Sequence, residues 1–377
     1  MISFWEKNSF LSYDYIIIGA GLMGMHIAYE LHEKEPNAKI IILERGIFPT
    51  GASTKNAGFA CFGSLSEIVS DIAMNGVDNS LSLIEKRYKG ISLLKERLGI
   101  ENIGYENNGG YELLYNEHLA VLEKREEINE LLFPIYKNEV FSIKNEKINE
   151  FGFDATKVKS LVFSPYEGQI NTGKMVQSYI QLILSKGIQI LTGAKVAQLE
   201  NNKVYIEHNI LHEPMQLIAN KQVFIASNSF ASDLLQTNIA KPGRGQVLIT
   251  KPIENLKFKG VFHIDEGYYY FRNFENRVLF GGGRNLDFDA EESGEFKNTE
   301  LIINELKRIL RETILPNQTH EIVMQWAGIM GFSENKLPVI KRINEHCIVA
   351  MSCNGMGVAL SGIMAKEAVQ LYNLKID

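Results

Sequence analysis

Tyr268, Tyr270 and Arg272 stand two residues apart in a stretch that reads as a strand, so their side chains fall on one face. Two phenols beside a guanidinium suit binding and orientation. The tyrosines could close an apolar cavity and donate hydrogen bonds, and the arginine could meet a carboxylate. The plainer alternative is cross-strand packing with a surface arginine. Lys55 adds a cation within a segment of small residues, and Arg244, Arg284 and His263 are further polar candidates near the tyrosines in sequence. No spacing of His, Cys, Asp and Glu suggests a metal site, and no nucleophile pairs with a base. What these residues face must be read from the elements around them.

The organising stretch runs from Tyr13 to Glu44. Asp14-Tyr15-Ile16-Ile17-Ile18 has the β-branched character of a buried parallel strand. Gly19-Ala20-Gly21-Leu22-Met23-Gly24 follows, then a helical segment through Ala28 and Leu31, then the apolar run Lys39 to Leu43 ending in Glu44. Strand, GxGxxG, helix, strand and acid in that order predict a dinucleotide-binding unit. Gly19 permits the tight turn, Gly21 lets backbone approach a pyrophosphate, and Gly24 lets the helix pack on the strand. The helix N-terminus offers free N–H groups to the phosphates, and Glu44 would accept from the ribose hydroxyls.

The chain has 377 residues, enough for two domains or one elaborate one, and 45% hydrophobic with 22% charged residues is ordinary for a soluble protein. A net charge of −6 without a basic stripe argues against a nucleic-acid partner. Cys61, Cys347 and Cys353 are too few and scattered for a disulfide framework, which suits a reduced cytoplasm. No secretory signal and no transmembrane-length apolar run is expected.

Further along, Ser64 onward reads helical, and Val77 to Leu98 carries an apolar stripe at helical spacing that Gly99 ends. A strand is expected from Tyr111 to Tyr115, a charged helix from Glu117 to about Leu132, and a helix from Thr172 to Lys186. Strands are expected at Ile188–Leu191, Lys195–Leu199, Val204–His208 and Lys221–Ala226. An antiparallel set follows at Gln246–Thr250, Val261–Ile264, Tyr268–Arg272 and Val278–Phe280. A helix from about Thr299 to Glu312 precedes a strand from Glu321 to Ala327. The C-terminal end repeats the N-terminal geometry: strand His346–Ser352, turn Cys353-Asn354-Gly355-Met356-Gly357, helix Val358 to about Leu371. A second glycine-lined helix start implies a ligand long enough to need both ends. FAD is such a ligand, with its pyrophosphate at the first helix and the pyrimidine edge of its flavin at the second.

With those residues in view, the chain resembles the FAD-dependent D-amino-acid oxidase superfamily, which includes glycine, sarcosine and γ-glutamylputrescine oxidases. The resemblance spans the chain. It rests on GAGLMG with Glu44, on Ser53-Thr54-Lys55-Asn56-Ala57-Gly58, and on Pro242-Gly243-Arg244-Gly245-Gln246. Tyr268-Tyr269-Tyr270-Phe271-Arg272 with Gly281-Gly282-Gly283, Trp326-Ala327-Gly328 and Asn354-Gly355-Met356-Gly357-Val358 complete it. Phe4-Trp5-Glu6 looks most like the γ-glutamylputrescine oxidase group. The resemblance implies an α/β fold: a Rossmann-like FAD-binding domain, split over 1–85, 150–228 and 325–377, with an inserted antiparallel-sheet substrate domain (α+β) over 86–149 and 229–324. It implies FAD contacts from Gly19, Ala20, Gly21, Leu22, Met23, Gly24, Glu44 and Arg45, and from Ser53, Thr54, Asn56, Ala57 and Gly58. Val196, Ala226, Ser227 and Gly328 join them, as do Asn354, Gly355, Met356, Gly357 and Val358.

The implied activity is oxidation of a carbon–nitrogen bond of a small amine or amino acid to an imine, by hydride transfer to flavin N5 and commonly with dioxygen as reoxidant. Tyr268, Tyr270 and Arg272 would then serve the substrate, and Lys55 would place a cation near the flavin. The chain departs from the family pattern in three places. Asn56 and Ala327-Gly328-Ile329 occupy positions where covalent members attach flavin, so FAD is expected noncovalent. Met330 stands where glycine-oxidase-like members carry a carboxylate-binding arginine, which favours an amine or an unusually bound amino acid. Lys55 replaces the usual arginine and loses its bidentate hydrogen bonding. The other readings weighed are tRNA wobble-uridine aminomethyl modification and a non-catalytic flavin-binding protein.

Overall fold

A computed structural model describes residues 2–207, 214–351 and 353–374 of the chain; His208 and Ser352, which end two of the expected strands, lie outside them. Two eight-stranded sheets dominate the described residues. In the first, the strand Ser12–Ile18 lies between Ile40–Leu43 and Met215–Ile225, parallel to both. Cys347–Met351 extends the parallel set beyond Met215–Ile225, and Gln189–Leu191 extends it beyond Ile40–Leu43. Both faces of the central strands are covered, so Tyr15, Ile17, Ile40 and Ile42 enter one core while Tyr13, Ile16, Ile18 and Ile41 enter another. That explains an unbroken apolar run where a half-exposed strand would alternate. Each such side chain, fully buried, contributes about 1.5–3 kcal/mol.

Four helices contribute to the first of those cores: Leu22–Lys34, Thr172–Ser185, Val77–Leu98 and Gly357–Asn373. The last two meet backbone to backbone, for a Cβ on Gly90 would stand 1.8 Å from the Ala359 carbonyl oxygen. Only glycine permits that approach.

The second sheet is mostly antiparallel, in the order Ile322–Phe332, Lys241–Thr250, Arg277–Gly282, Tyr269–Phe274, Val261–Ile264, Gly110–Leu114, Ser160–Ser164, Ser142–Ile143. Val261–Ile264 pairs parallel with Gly110–Leu114. One face carries an aromatic core in which Phe262 stacks on Phe271 at 4.5 Å, covered by the helix Glu300–Ile309. The opposite face, with Val247, Tyr270, Leu279 and Trp326, turns toward Ala57 and Phe59. Strand pairing places Ser160–Ser164 and Ile322–Phe332 in this second sheet, so it draws on residues on both sides of the expected boundaries at 150 and 325.

Several sequence expectations change. The segment expected as one helix from Glu117 begins as a 3-10 helix over Asn116–Lys124, and the α-helix is Arg125–Tyr136. The strands expected to start at Gln246 and to end at Ala327 run instead over Lys241–Thr250 and Ile322–Phe332. The glycines within the strand Lys241–Thr250 make room for neighbouring side chains. A Cβ on Gly243 would meet the Phe332 ring at 2.3 Å, and one on Gly245 would meet the Met330 methyl at 2.9 Å.

Candidate active site

The first glycine turn is built almost wholly from backbone. Gly19, at φ +107°, turns the chain so tightly that a Cβ there would stand 2.7 Å from the Ala226 carbonyl. A Cβ on Gly24 would stand 1.9 Å from the Gly19 carbonyl, which is why the helix can sit directly on its own turn. The Leu22 N–H donates to Ser53 Oγ at 2.9 Å. Glu44 accepts from the Ala20 N–H at 3.1 Å through one oxygen and from the Gly46 N–H at 2.8 Å through the other. Those bonds fix the carboxylate and leave lone pairs for a ribose.

The segment after it is equally ordered. Thr54 donates its hydroxyl hydrogen to the Pro49 and Gly51 carbonyls. Asn56 donates to the Ala52 and Ser53 carbonyls and accepts from the Gly58 N–H and the Thr172 hydroxyl. The Trp326 indole donates to the Lys55 carbonyl at 2.9 Å, tying the second sheet to this loop. Gly328 lies so near that a Cβ would sit 3.1 Å from Lys55 Cβ.

At the far end of the chain, Asn354 (φ +47°) and Gly355 (φ +88°) reverse the backbone into the helix Gly357–Asn373, whose start no side chain caps. Asn354 Oδ1 accepts from the Ser333 N–H at 3.0 Å. The uncapped start leaves backbone N–H groups and the positive dipole end for a ligand.

One cavity of about 660 Å³ joins these two turns, within the range of cofactor sites. Gly19, Gly21, Leu22, Met23, Glu44 and Arg45 line it, with Ser53, Lys55, Asn56 and Ala57, and so do Val196, Ala226, Ser227 and Gly328. Asn354, Gly355, Met356, Gly357 and Val358 close the opposite side. Ala20, Gly24, Thr54 and Gly58 do not reach the lining and shape the segments that do. A long cleft with a helix N-terminus at each end, a cradle that Cβ atoms would fill and an acid beside the first turn fits FAD.

Over this cavity the second sheet contributes Tyr268 and Tyr270. Tyr270 packs edge-on to Phe59 and is pushed up to about 12 by burial, so it remains a hydrogen-bond donor. A Cβ on Gly281 would meet its ring at 2.8 Å; glycine is what lets the ring lie flat on the sheet. Met330 reaches the same spot beside Gly245. Tyr268 precedes the strand proper, which is Tyr269–Phe274.

Arg272 shares the Tyr270 face but lies off the cavity lining. It is 3% exposed, its guanidinium lies against Gly58, and its Nε has no partner. Burial holds it down to about 10, partly offset by Glu106. Arg244 also stays off the lining, gripping Glu291 through Nε at 2.9 Å and Nη2 at 2.8 Å.

Sequence reasoning missed the side chains beneath the tyrosines. Glu67, Asp71 and Arg87 line the cavity, with Arg87 3.6 Å from each acid. Glu67 is raised to about 7, chiefly by burial, opposed by Arg87 and reinforced by Asp71. Beside them His263, which also lines the cavity, has its Nε2 2.9 Å from Glu167, and Cys61, another lining residue, completes a buried trio whose ligand-type atoms are all within 4.8 Å. Burial would lower His263, but Glu167 and the neighbouring acids raise it above its usual value. Glu167 also accepts from the Phe62 and Gly63 N–H groups, and burial pushes the Cys61 thiol well up. The trio is therefore a satisfied buried cluster of neutral thiol and ion pair. Its members lie about a hundred residues apart, so no spacing could reveal it.

A family profile described as FAD dependent oxidoreductase (DAO) matches residues 14–371. The probable oxidoreductase OrdL of Haemophilus influenzae is 25% identical over 94% of this chain and 81% of its own length. Among solved structures, glycine oxidase from Geobacillus kaustophilus is similar at TM-score 0.75, with 18% identity over 97% of this chain and 96% of that one. L-proline dehydrogenase from P. horikoshii is similar at TM-score 0.74, with 18% identity over 96% and 93%. No helix among the described residues is long and apolar enough to cross a membrane. A cavity built for an elongated dinucleotide and a profile match over nearly the whole length agree: the chain belongs to the DAO family of FAD-dependent oxidoreductases.

Proposed function

We propose that this enzyme oxidises a carbon–nitrogen bond of a small amine or amino acid. The observation that carries the reading is the roof of Tyr268, Tyr270 and Met330 over the cavity that joins the two glycine turns. Both fold relatives are named for the oxidation of an amino acid. FAD, held between the two glycine turns, would supply the two-electron acceptor for removing a hydride from the carbon next to nitrogen, with dioxygen as the electron acceptor that would return it to the oxidised form.

The protein's part is placement. Tyr270 and Phe59 present apolar ring surface that excludes water, and the tyrosine hydroxyls offer hydrogen bonds that orient the substrate. Glu67, poised near neutrality beside the cavity, can hold the proton that an ammonium substrate must lose. Lys55 lines the cavity, and its cation would assist oxygen reduction there. Arg272, buried against Gly58, has a positioning role beneath the flavin-side loop in place of the substrate contact its spacing suggested. Noncovalent FAD is supported by the Cys61 and Cys353 thiols, both held protonated by burial and so poor nucleophiles. Unpaired thiols also suit a reduced cytoplasm.

The test is stopped-flow anaerobic mixing of the purified yellow protein with glycine, N-methyl amino acids, D- and L-amino acids, simple amines and γ-glutamyl amines. Bleaching of the flavin band by at least one class, followed by peroxide release on adding oxygen, is expected. A flavin that no member bleaches would sink the proposal.

A further inference from the structure

Cys61, Glu167 and His263 come from three separate segments and meet at the cavity wall. Cys61 follows the short strand Phe59–Ala60, and Glu167 precedes that strand's partner, Gly168–Gln169. The antiparallel register of the pair carries Cys61 opposite Glu167. His263 arrives from the second sheet, on Val261–Ile264. The Glu167 carboxylate is fixed in place. Its Oε1 accepts from the Phe62 and Gly63 N–H groups at 3.1 and 3.2 Å, which leaves Oε2 toward His263 Nε2. A Cβ on Gly110 would stand 2.0 Å from that Oε2, so only glycine there lets the acid reach the imidazole.

A thiol, an imidazole and a carboxylate are donor types that zinc takes in tetrahedral sites. Bonds of about 2.0 Å to nitrogen and oxygen and about 2.3 Å to sulfur set such ligand atoms roughly 3.3–3.5 Å apart. In this trio nitrogen and oxygen stand 2.9 Å apart, and no pair of ligand-type atoms exceeds 4.8 Å. The first pair must part by a few tenths of an ångström, and the sulfur must move in by little more than an ångström. A void of about 10 Å³ bordered by Glu167 and His263 gives room for that shift. Thiolate and carboxylate together balance a divalent cation. Arg87, the cation nearby, already has Glu67 and Asp71 at 3.6 Å. Cys61 and His263 line the cavity, so a fourth coordination position is left to the open space, as in zinc sites that are not closed by protein.

We propose that Cys61, His263 and Glu167 form an exchangeable zinc site in the cavity wall. Filling it expels one proton from the Cys61 thiol and one from the His263 imidazolium, both to water. Without the ion the three groups satisfy one another as neutral thiol and ion pair, so folding does not depend on it. Phe59 packs edge-on to His263 at 5.5 Å and to Tyr270 at 5.6 Å. An ion that fixes the imidazole therefore fixes the ring above it as well.

The test is equilibrium dialysis of metal-free holoenzyme against Zn²⁺, for the wild type, Cys61→Ser and Cys353→Ser. One ion per chain is expected for the wild type and for Cys353→Ser, whose thiol also lines the cavity but is not in the trio. Affinity in Cys61→Ser should fall by more than the roughly 10- to 100-fold that losing a supporting residue costs a metal site. X-ray absorption at the zinc edge should find one sulfur among nitrogen and oxygen ligands. Co²⁺ in place of zinc should give tetrahedral ligand-field bands to the red of the flavin absorption. No uptake by the wild type, equal affinity in Cys61→Ser, or a zinc shell without sulfur would overturn the assignment. Should Cys61→Ser fail to fold or to retain FAD, the zinc-edge spectrum of the wild type decides. None of these readouts requires the flavin to be reduced, so they stand whether or not an amine proves to be the substrate.

Discussion

The two ends of the cavity are made of different material. The nucleotide end is backbone: glycines at 19, 21 and 24, N–H groups on Ala20 and Leu22, and one acid whose oxygens are tied to that backbone. The other end, which we propose holds the substrate, is side chains: Tyr268, Tyr270, Arg284, Met330 and Glu67, brought in by several separate segments. A backbone-built site binds what any relative binds, because peptide groups differ little from chain to chain. A side-chain site can be rewritten one residue at a time while the fold stays intact. The cofactor is thus common to the family, and on the proposed reading discrimination among substrates belongs to the other end.

The harshest way to break this contrast is Gly24→Val. With 1.9 Å between its Cβ and the Gly19 carbonyl, the helix cannot keep its seat, and a loss of several kcal/mol is expected. The protein should be insoluble or colourless, as read from the ratio of flavin to protein absorbance; a yellow, stable variant would refute the close-packed turn. Glu44→Ala comes next. It strands two backbone N–H groups and removes the ribose acceptor, so FAD dissociation constants should rise about 10- to 100-fold. Reduction rates at saturating FAD should stay near wild type, and a large fall in those rates would blur the division between the two ends.

The smallest effect concerns Glu67. Its folded value of about 7 lies above the usual 4.5, so the folded state favours the protonated acid. That contribution is fully present below pH 4.5 and is lost as pH rises through about 7. Glu67→Gln mimics the protonated form, so its melting temperature should fall less between pH 5 and pH 8 than that of the wild type, by a few degrees. Parallel pH profiles would mean that Arg87 already neutralises the ionised carboxylate.

The same contrast explains what the sequence revealed. Strand, glycines, helix and acid lie consecutively from Asp14 to Glu44, and backbone geometry restricts which residues can occupy them, so the nucleotide end could be read without a structure. Asn354 to Val358 was legible for the same reason, and it does share a cavity with Gly19 and Gly21. Tyr268 and Tyr270 were found by their alternation, but the same alternation pointed Arg272 at the substrate, and the structure buries it against Gly58. Period-2 spacing fixes a face and says nothing of how far along that face a ligand extends. Glu67 and Arg87 sit on helices whose apolar stripes read as core, and only tertiary packing turns their polar members toward the cavity. Arg284 was visible as a polar candidate, but its spacing could not show that it lines the same cavity as Tyr268 and Met330.

The contact between Gly90 and Ala359 carries a consequence beyond packing. It lies in the first turn of the C-terminal helix, whose positive end closes one side of the cavity. A helix from the early part of the chain therefore sets how far that positive end can advance into the cavity, so a side chain at residue 90, which does not line the cavity, would be felt there.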